Sequence, residues 1–355
     1  MIENRIDILK KLLPEHSAAL ITSESNCFYL SGFNKSEGMV LITRDDAILF
    51  VDFRYIEAAR AASKISVKLS QSFYKDIYGI LKEKNVKTVF VEAQSVTLSQ
   101  KSVLENAFSG IEISTAINID EKILEMRAVK TEAEVSLIKS AQEITDNAFS
   151  YILNRISAGK TEREIALDLE FFMRKAGSEG TAFETIAVSG KNSSKPHGIP
   201  GDKELKNGDF LTLDFGAVVG GYRSDMTRTV CIGNPTEKMK MVYNTVLKAQ
   251  EEAIKAVKSG VICKSVDKVA RDIINNAGFE GCFGHGLGHS VGIDIHENPS
   301  FNMRCEAVTK PGMVITVEPG IYLENEFGVR IEDMIIVTEN GCFDLTKSDK
   351  SLIII

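Results

Sequence analysis

Four carboxylates stand where a strand normally excludes them. Asp214 in LTLDFG and Asp225 in YRSDMTRT interrupt apolar, strand-like segments. Glu318 closes MVITVE directly before Pro319-Gly320, and Glu332 interrupts VRIEDMIIV. An acid in a strand is disfavoured, and once buried it is costly unless it is paired or holds a metal. The histidines give a second signal. The chain has 5, and His197, His285, His289 and His296 gather in the second half, each beside glycine or a polar residue, with His16 left apart. A single histidine is more often structural than a ligand, but a group of this kind shifts the balance. His289 in GHGLGHSVG completes a set of one imidazole and four carboxylates. Such an oxygen-rich set suits hard or borderline divalent ions, Mn²⁺ ahead of Co²⁺ or Zn²⁺. Four carboxylates suffice to bridge two ions about 3.5–4 Å apart, a pair that holds and ionises a shared water near neutral pH.

Spacing supports convergence of the two aspartates. If Gly220-Gly221 forms a two-residue hairpin turn, Val219 pairs with Tyr222 and Gly216 faces Asp225. Asp214 is then diagonal to Asp225 on one face, roughly 7–8 Å away. Gly216, with no side chain, is expected to leave the space between them open. Two carboxylates aimed into one cavity repel unless cations lie there. The alternative, a solvated hairpin face, fits poorly with such apolar flanks. Glu332 shares a face with Arg330, two residues before it.

The elements that must position these residues fall into two blocks. In residues 1–125, SAALITS, GMVLIT, DAILFVD and TVFVEA read as strands, and IENRIDILKKLL and FRYIEAARAA as helices. That alternation predicts an α/β domain with a mostly parallel sheet. The block has neither a Gly-rich phosphate loop nor a titratable cluster, so it reads as a supporting or oligomerising domain. A boundary falls in KILEMRAVK, residues 122–130, and the second domain spans 126–355. Capping boxes at Thr131/Glu134 and Thr161/Glu164 open two helices, the first with Val135, Ile138, Ala141, Ile144, Ala148 and Ile152 at helical spacing. Strand patterns TAFETIAVSG, DFLTLDFGAVV, YRSDMTRTVCI, MVITVEPGIYL and VRIEDMIIV follow, broken by a helical block over 236–277. The second half is therefore expected to be α+β, with helices on an antiparallel sheet.

Composition bounds the partners. The 355 residues, 44% hydrophobic and 26% charged, carry a formal net charge of −7. This is ordinary globular composition with length for two domains. The acidic balance argues against a nucleic-acid surface. The scattered cysteines (Cys27, Cys231, Cys263, Cys282, Cys305 and Cys342) include no CxxC pair and read as free thiols of a reducing cytoplasm. Charges break the N-terminal apolar pattern, which does not read as a signal peptide, and no apolar run is long enough to span a bilayer.

Taken together, SSKPHG, LTLDFG, SDMTRT, GHGLGHSVGIDIHE, TVEPGIY and VRIED, in this order, resemble the creatinase/methionine-aminopeptidase metallopeptidases, the pita-bread enzymes. NCFYLSGF and DFRYIEAA extend the resemblance into the N-terminal block and toward the Xaa-Pro branch. The resemblance implies a C-terminal pita-bread domain of α+β class behind a smaller creatinase-like α/β domain. It implies a dinuclear centre on Asp214, Asp225, His289, Glu318 and Glu332, the same five that the charge argument reaches. It further implies that His197 sits beside the scissile nitrogen and that His296 donates to the carbonyl oxygen as it gains charge. Glu318 would accept the proton of the bridging water, and His285 and Arg330 would line the proline side. Arg330 could instead neutralise Glu332 or Asp333, and His285 could support a ligand.

The implied activity is hydrolysis of the bond before a proline at the second position, as an Xaa-Pro aminopeptidase, with an Xaa-Pro dipeptidase (prolidase) as the alternative. The N-terminal domain argues against a methionine aminopeptidase. The intact ligand set argues against a creatinase or a binding module without catalysis. A homodimer is the implied assembly.

Overall fold

The computed structural model describes residues 2–34 and 37–355. It divides into two compact units, Met1–Arg127 and Ala128–Ile355.

The first unit runs α1 (Ile2–Leu12), β1 (Ser17–Ile21), α2 (Glu24–Ser31), β2 (Met39–Thr43), β3 (Ala47–Val51), α3 (Ile56–Ala62), β4 (Ser66–Leu69), α4 (Phe73–Glu83), β5 (Thr88–Val91), α5 (Leu98–Ala107), β6 (Glu112–Ser114) and α6 (Ile119–Ala128). Its sheet has the order β4-β3-β2-β1-β5-β6. The expected mostly parallel sheet is in fact mixed. β1/β5, β5/β6 and β3/β4 are parallel, whereas β1/β2 and β2/β3 are antiparallel. The link Arg44-Asp45-Asp46 between β2 and β3 is far too short for the crossover that a parallel pair requires. Leu20, Leu41, Phe50, Val89 and Phe108 form part of its buried core.

The second unit opens with α7 (Glu132–Leu153) and α8 (Glu162–Lys175), both with complete capping boxes at Thr131/Glu134 and Thr161/Glu164. Then come β7 (Ile186–Ser189), a 3-10 turn (Gly190–Ser194), β8 (Phe210–Phe215), β9 (Val218–Val219), β10 (Tyr222–Arg223) and β11 (Met226–Cys231). The helices α9 (Glu237–Ala256) and α10 (Cys263–Ile274) precede β12 (Gly288–Ser290), β13 (Glu297–Phe301), β14 (Val314–Val317), β15 (Gly320–Leu323), β16 (Phe327–Arg330), β17 (Asp333–Val337) and β18 (Cys342–Asp344). The ladders between these strands are antiparallel, as expected.

Alternation along β8 sorts its side chains. Leu211, Leu213 and Phe215 pack with Ile152, Ile165 and Leu169 of α7 and α8. Phe210 enters the other cluster with Tyr243, Val246 and Val317. With period two, Thr212 and Asp214 share the Phe210 side. Burying each large aliphatic of these clusters contributes about 1.5–3 kcal/mol, enough to hold an acid inside if its oxygens find partners.

Two segments that read as single strands are each broken. MVITVEPGIYL is β14 plus β15, and VRIEDMIIV ends β16 and forms β17. The β14/β17 ladder belongs to a five-stranded sheet and β15/β16 to a separate two-stranded one. Pro319, which has no N–H for a ladder, marks the first break. TAFETIAVSG contributes only its end, β7.

Candidate metal centre

The strand breaks are where the acids sit. Asp214 is inside β8, but Asp225 lies between β10 and β11, Glu318 between β14 and β15, and Glu332 between β16 and β17. The expectation that Asp225 and Glu332 lie within continuous strands is therefore corrected. Where the ladder lapses, a side chain is free to leave the alternating pattern. Val317↔Asp333 and Gly320↔Arg330 share one register, so Glu318 and Glu332 stand opposite each other across the lapse.

The hairpin behaves as the spacing predicts. Gly220 and Gly221 have φ of 55° and 77°, and Val219 pairs with Tyr222. Asp214 pairs with Thr227 and is thus diagonal to Asp225. The role expected for Gly216 is wrong, however. A Cβ there would lie 1.9 Å from the Ser224 carbonyl oxygen. Glycine is needed because two backbones touch, not to leave room between carboxylates.

His289 stands in β12, beside a register shift that turns the strand between His289 and Ser290. Its Nδ1 lies 3.2 Å from the Ser290 carbonyl. With the proton donated there, Nε2 presents a lone pair 3.5 Å from Asp225 Oδ2 and 3.4 Å from Glu318 Oε1. Ligand atoms of Asp225, His289 and Glu332 all lie within 4.8 Å of one another. Asp214 lies close enough to raise the Asp225 carboxyl, and its Oδ2 accepts from Arg330 Nη2 at 2.6 Å.

Satisfaction of the oxygens is uneven. Thr227 donates to Glu332 Oε2 at 2.7 Å, and Thr316 donates to Glu318 Oε1 at 3.2 Å. Asp214 Oδ1 and Glu332 Oε1 are buried without a hydrogen-bond partner among the described residues. An orphaned buried acceptor costs about 1–3 kcal/mol, and two of them on buried acids that perturb one another fit a bound cation. The electrostatics agree. Burial, then Asp214 and Glu318, hold the Asp225 carboxyl well above its usual range. Burial, then Asp225, Glu318 and Asp214, do the same to Glu332. Burial pushes Glu318 up to about 8, against the pull of the Arg330 charge. Acids that would otherwise keep protons are acids that divalent ions can discharge. The residues present therefore fit divalent metal.

The other expected residues converge on the same cleft. A cavity of about 830 Å³ is lined by the four acids and the His289 imidazole together with His197, His285, His296 and Arg330. His197 and His296 are exposed. The His296 ring meets that of His289 edge to face at 4.4 Å, and burial, then the His197 charge, lower its pKa. His285 is held down to about 4 by burial and then by Arg330, so it is neutral at pH 7. His289 is also held at about 4, first by burial and then by His296.

Arg330 does not neutralise Glu332 or Asp333. Besides Asp214 it reaches Thr227 at 3.0 Å, the Pro196 carbonyl at 3.2 Å and the Tyr322 hydroxyl at 2.8 Å. Asp333 is instead taken by Arg228 at 2.6 Å and Lys350 at 2.6 Å.

Sequence reasoning missed Tyr322, whose hydroxyl lies 2.8 Å from His285 Nε2 and 2.8 Å from Arg330 Nη1. Its signal was the glycines around it. A Cβ on Gly320 would stand 2.5 Å from that hydroxyl, and one on Gly328 would stand 2.8 Å from the ring. It also missed Arg228, fully buried, which donates to the Glu332 carbonyl at 2.6 Å and so fixes the backbone of that acid.

Known proteins resemble this chain along its whole length. Residues 136–339 match metallopeptidase family M24, and residues 5–129 match the creatinase/prolidase N-terminal domain. The chain is 39% identical over 355 residues to the Xaa-Pro dipeptidase of Pyrococcus furiosus, covering 99% of this chain and 100% of that relative. The structure of an Xaa-Pro dipeptidase from Bacillus anthracis superposes with a TM-score of 0.95 at 37% identity, covering 100% of both chains. An X-Pro aminopeptidase from Thermotoga maritima gives a TM-score of 0.91 at 38% identity, covering 98% of this chain and 100% of that one. The chain belongs to metallopeptidase family M24, as a C-terminal pita-bread domain behind a creatinase/prolidase-type N-terminal domain.

Proposed function

We infer that this metallopeptidase cleaves Xaa-Pro dipeptides. The observation that carries a hydrolytic metal site is the pair of orphaned oxygens, Asp214 Oδ1 and Glu332 Oε1, within a cluster of buried acids open to a cleft. The choice of dipeptide rests on the relatives. Those of Pyrococcus furiosus and Pyrococcus horikoshii, each 39% identical, are named Xaa-Pro dipeptidases. This reverses the order of the sequence-based expectation, which put the aminopeptidase first. The Thermotoga maritima structure keeps the aminopeptidase as the second reading.

In this reading Asp214, Asp225, His289, Glu318 and Glu332 hold two divalent ions, Mn²⁺ first among them, then Co²⁺ or Zn²⁺. When bound, such ions acidify a shared water and polarise a carbonyl. Glu318 accepts the proton of the attacking water. His296 donates to the carbonyl oxygen as charge develops, and His197 stands beside the leaving nitrogen. His285 and Arg330, bridged by Tyr322, wall the proline side. A proline amide offers no N–H, so recognition has to come from shape and from its carbonyl. The homodimer expected from the resemblance belongs to the same reading, and sedimentation velocity of the purified chain tests it.

The decisive comparison is hydrolysis of an Xaa-Pro dipeptide against an Xaa-Pro-Xaa tripeptide by the Mn²⁺-loaded enzyme. A strong preference for the dipeptide is expected. Equal or better cleavage of the tripeptide would establish the aminopeptidase instead.

A further inference from the structure

Among the described residues, the buried carboxylate of Glu162 belongs to neither the acid cluster nor an ion pair. Glu162, the first residue of α8, is 0% exposed. Its Oε1 accepts from the Ser189 amide at 2.7 Å, the Ser189 hydroxyl at 3.0 Å and Asn192 Nδ2 at 3.2 Å. Its Oε2 accepts from Asn192 Nδ2 at 3.1 Å and from the Gly201 amide at 3.3 Å. Both ends of the 189–201 segment thus close on one side chain. The open N-terminus of α8 adds to the grip, because the Arg163 and Glu162 amides donate to the carbonyls of Gly201 and Lys203, each at 3.0 Å.

The segment held in this way carries His197 and Ile199 into the cleft. Its middle is tied to the opposite wall. Ser193 Oγ accepts from the Gly328 amide at 2.9 Å, and the Pro196 carbonyl accepts from Arg330. His197, next to Pro196, is itself exposed, so its position follows from where the segment is pinned. A carboxylate buried with neutral donors alone is a costly device for a surface loop, and its placement at the two ends of the segment gives it a purpose.

We propose that Glu162 is a positioning residue of the peptidase site, clamping the 189–201 segment so that His197 stands at a fixed place in the cleft. The proposal rests on the inferred Xaa-Pro activity for its kinetic arm only. The two oxygens allow a selective lesion. In Glu162→Gln the amide nitrogen replaces one oxygen. The arrangement that keeps the three bonds at Oε1 places an NH₂ group against the Asn192 and Gly201 donors, and the Gly201 end is released.

The test has two readouts on the full-length, Mn²⁺-loaded chain. Hydrogen exchange followed by mass spectrometry should show faster uptake in peptides from 190–201, with peptides from the middle of α8 and from β8 unchanged. On an Xaa-Pro dipeptide, Glu162→Gln should lower kcat/KM by about 10–100-fold, and by less than about 3-fold when introduced into His197→Ala. Equal losses in the two backgrounds, or unchanged exchange in 190–201, would overturn the proposal. Asn192→Ala, which removes a donor to both oxygens from the segment side, should reproduce the exchange pattern if Glu162→Gln fails to fold. Absence of wild-type Xaa-Pro hydrolysis would refute the proposed activity while leaving the exchange readout to judge the clamp.

Discussion

Buried acids occur in both units of the chain, and their surroundings differ. In the N-terminal unit Glu92 is 0% exposed. It accepts from the Thr22 amide at 2.6 Å, the Ser23 amide at 2.9 Å and Asn26 at 2.7 Å. Asp120 nearby accepts from the Ala93 amide. In the C-terminal cleft Asp214 and Glu332 each keep one buried oxygen with no donor. Burial alone therefore does not mark a functional acid. The mark is a buried oxygen left without a donor on an acid crowded by other buried acids. The contrast recurs between neighbours, since Asp333 is saturated by Arg228, Lys350 and Gln250, one residue after Glu332.

That pair offers the sharpest break. Glu332→Gln should empty the site of metal and cut turnover by more than the about 10–100-fold carried by outer partners of metal centres. It should cost the metal-free chain little stability, because the crowded carboxyl it replaces already favours its neutral form there. Asp333→Asn should do the reverse. It strands the buried Arg228 and should cost about 3–5 kcal/mol, with metal content unchanged in the folded fraction. Elemental analysis and chemical unfolding of both variants read the two effects, and matching behaviour would erase the distinction.

A second comparison separates the two histidines whose rings touch. His296→Ala should keep two ions per chain and a near-normal KM while losing about 10²–10³-fold in kcat. His289→Ala should lose metal. Loss of metal from both, or retention of kcat by His296→Ala within a few-fold, would show that the roles are misassigned.

A smaller effect concerns His285, held at about 4 by burial and Arg330. Its folded pKa lies below the unfolded value of about 6.5. The stability it contributes is therefore complete above pH 6.5 and lost as pH falls toward 4. In the metal-free protein, wild type should lose on the order of 3 kcal/mol more than His285→Gln between those limits. Parallel pH profiles of unfolding free energy would show that His285 titrates normally.

Much of the site was legible because charge inside an apolar strand is conspicuous. Asp214, Asp225, Glu318 and Glu332 all stand out in that way, and the Gly220-Gly221 turn set the register that brings the aspartates together. The strand breaks were harder to see, since Val329, Ile331 and Ile335 read as one apolar run although Glu332 leaves the ladder between them. Glu162 and Arg228 were invisible for a different reason. Glu162 sits in a capping-box pattern that explains an acid there without further function, and an arginine in a strand reads as exposed. Tyr322 follows Pro-Gly in a segment read as plain strand. The mixed sheet of the N-terminal unit was readable from the three-residue link after Thr43, a signal outweighed by the alternation of helices and strands.

The central claim is that the unsatisfied acids exist to hold ions. Its most direct test is titration of Mn²⁺ into the chelator-stripped chain, with bound metal and hydrolysis of an Xaa-Pro dipeptide measured on the same samples. Activity should be absent without metal and should rise with occupancy to a plateau at two ions per chain. Full turnover in a sample shown to be metal-free would contradict the account.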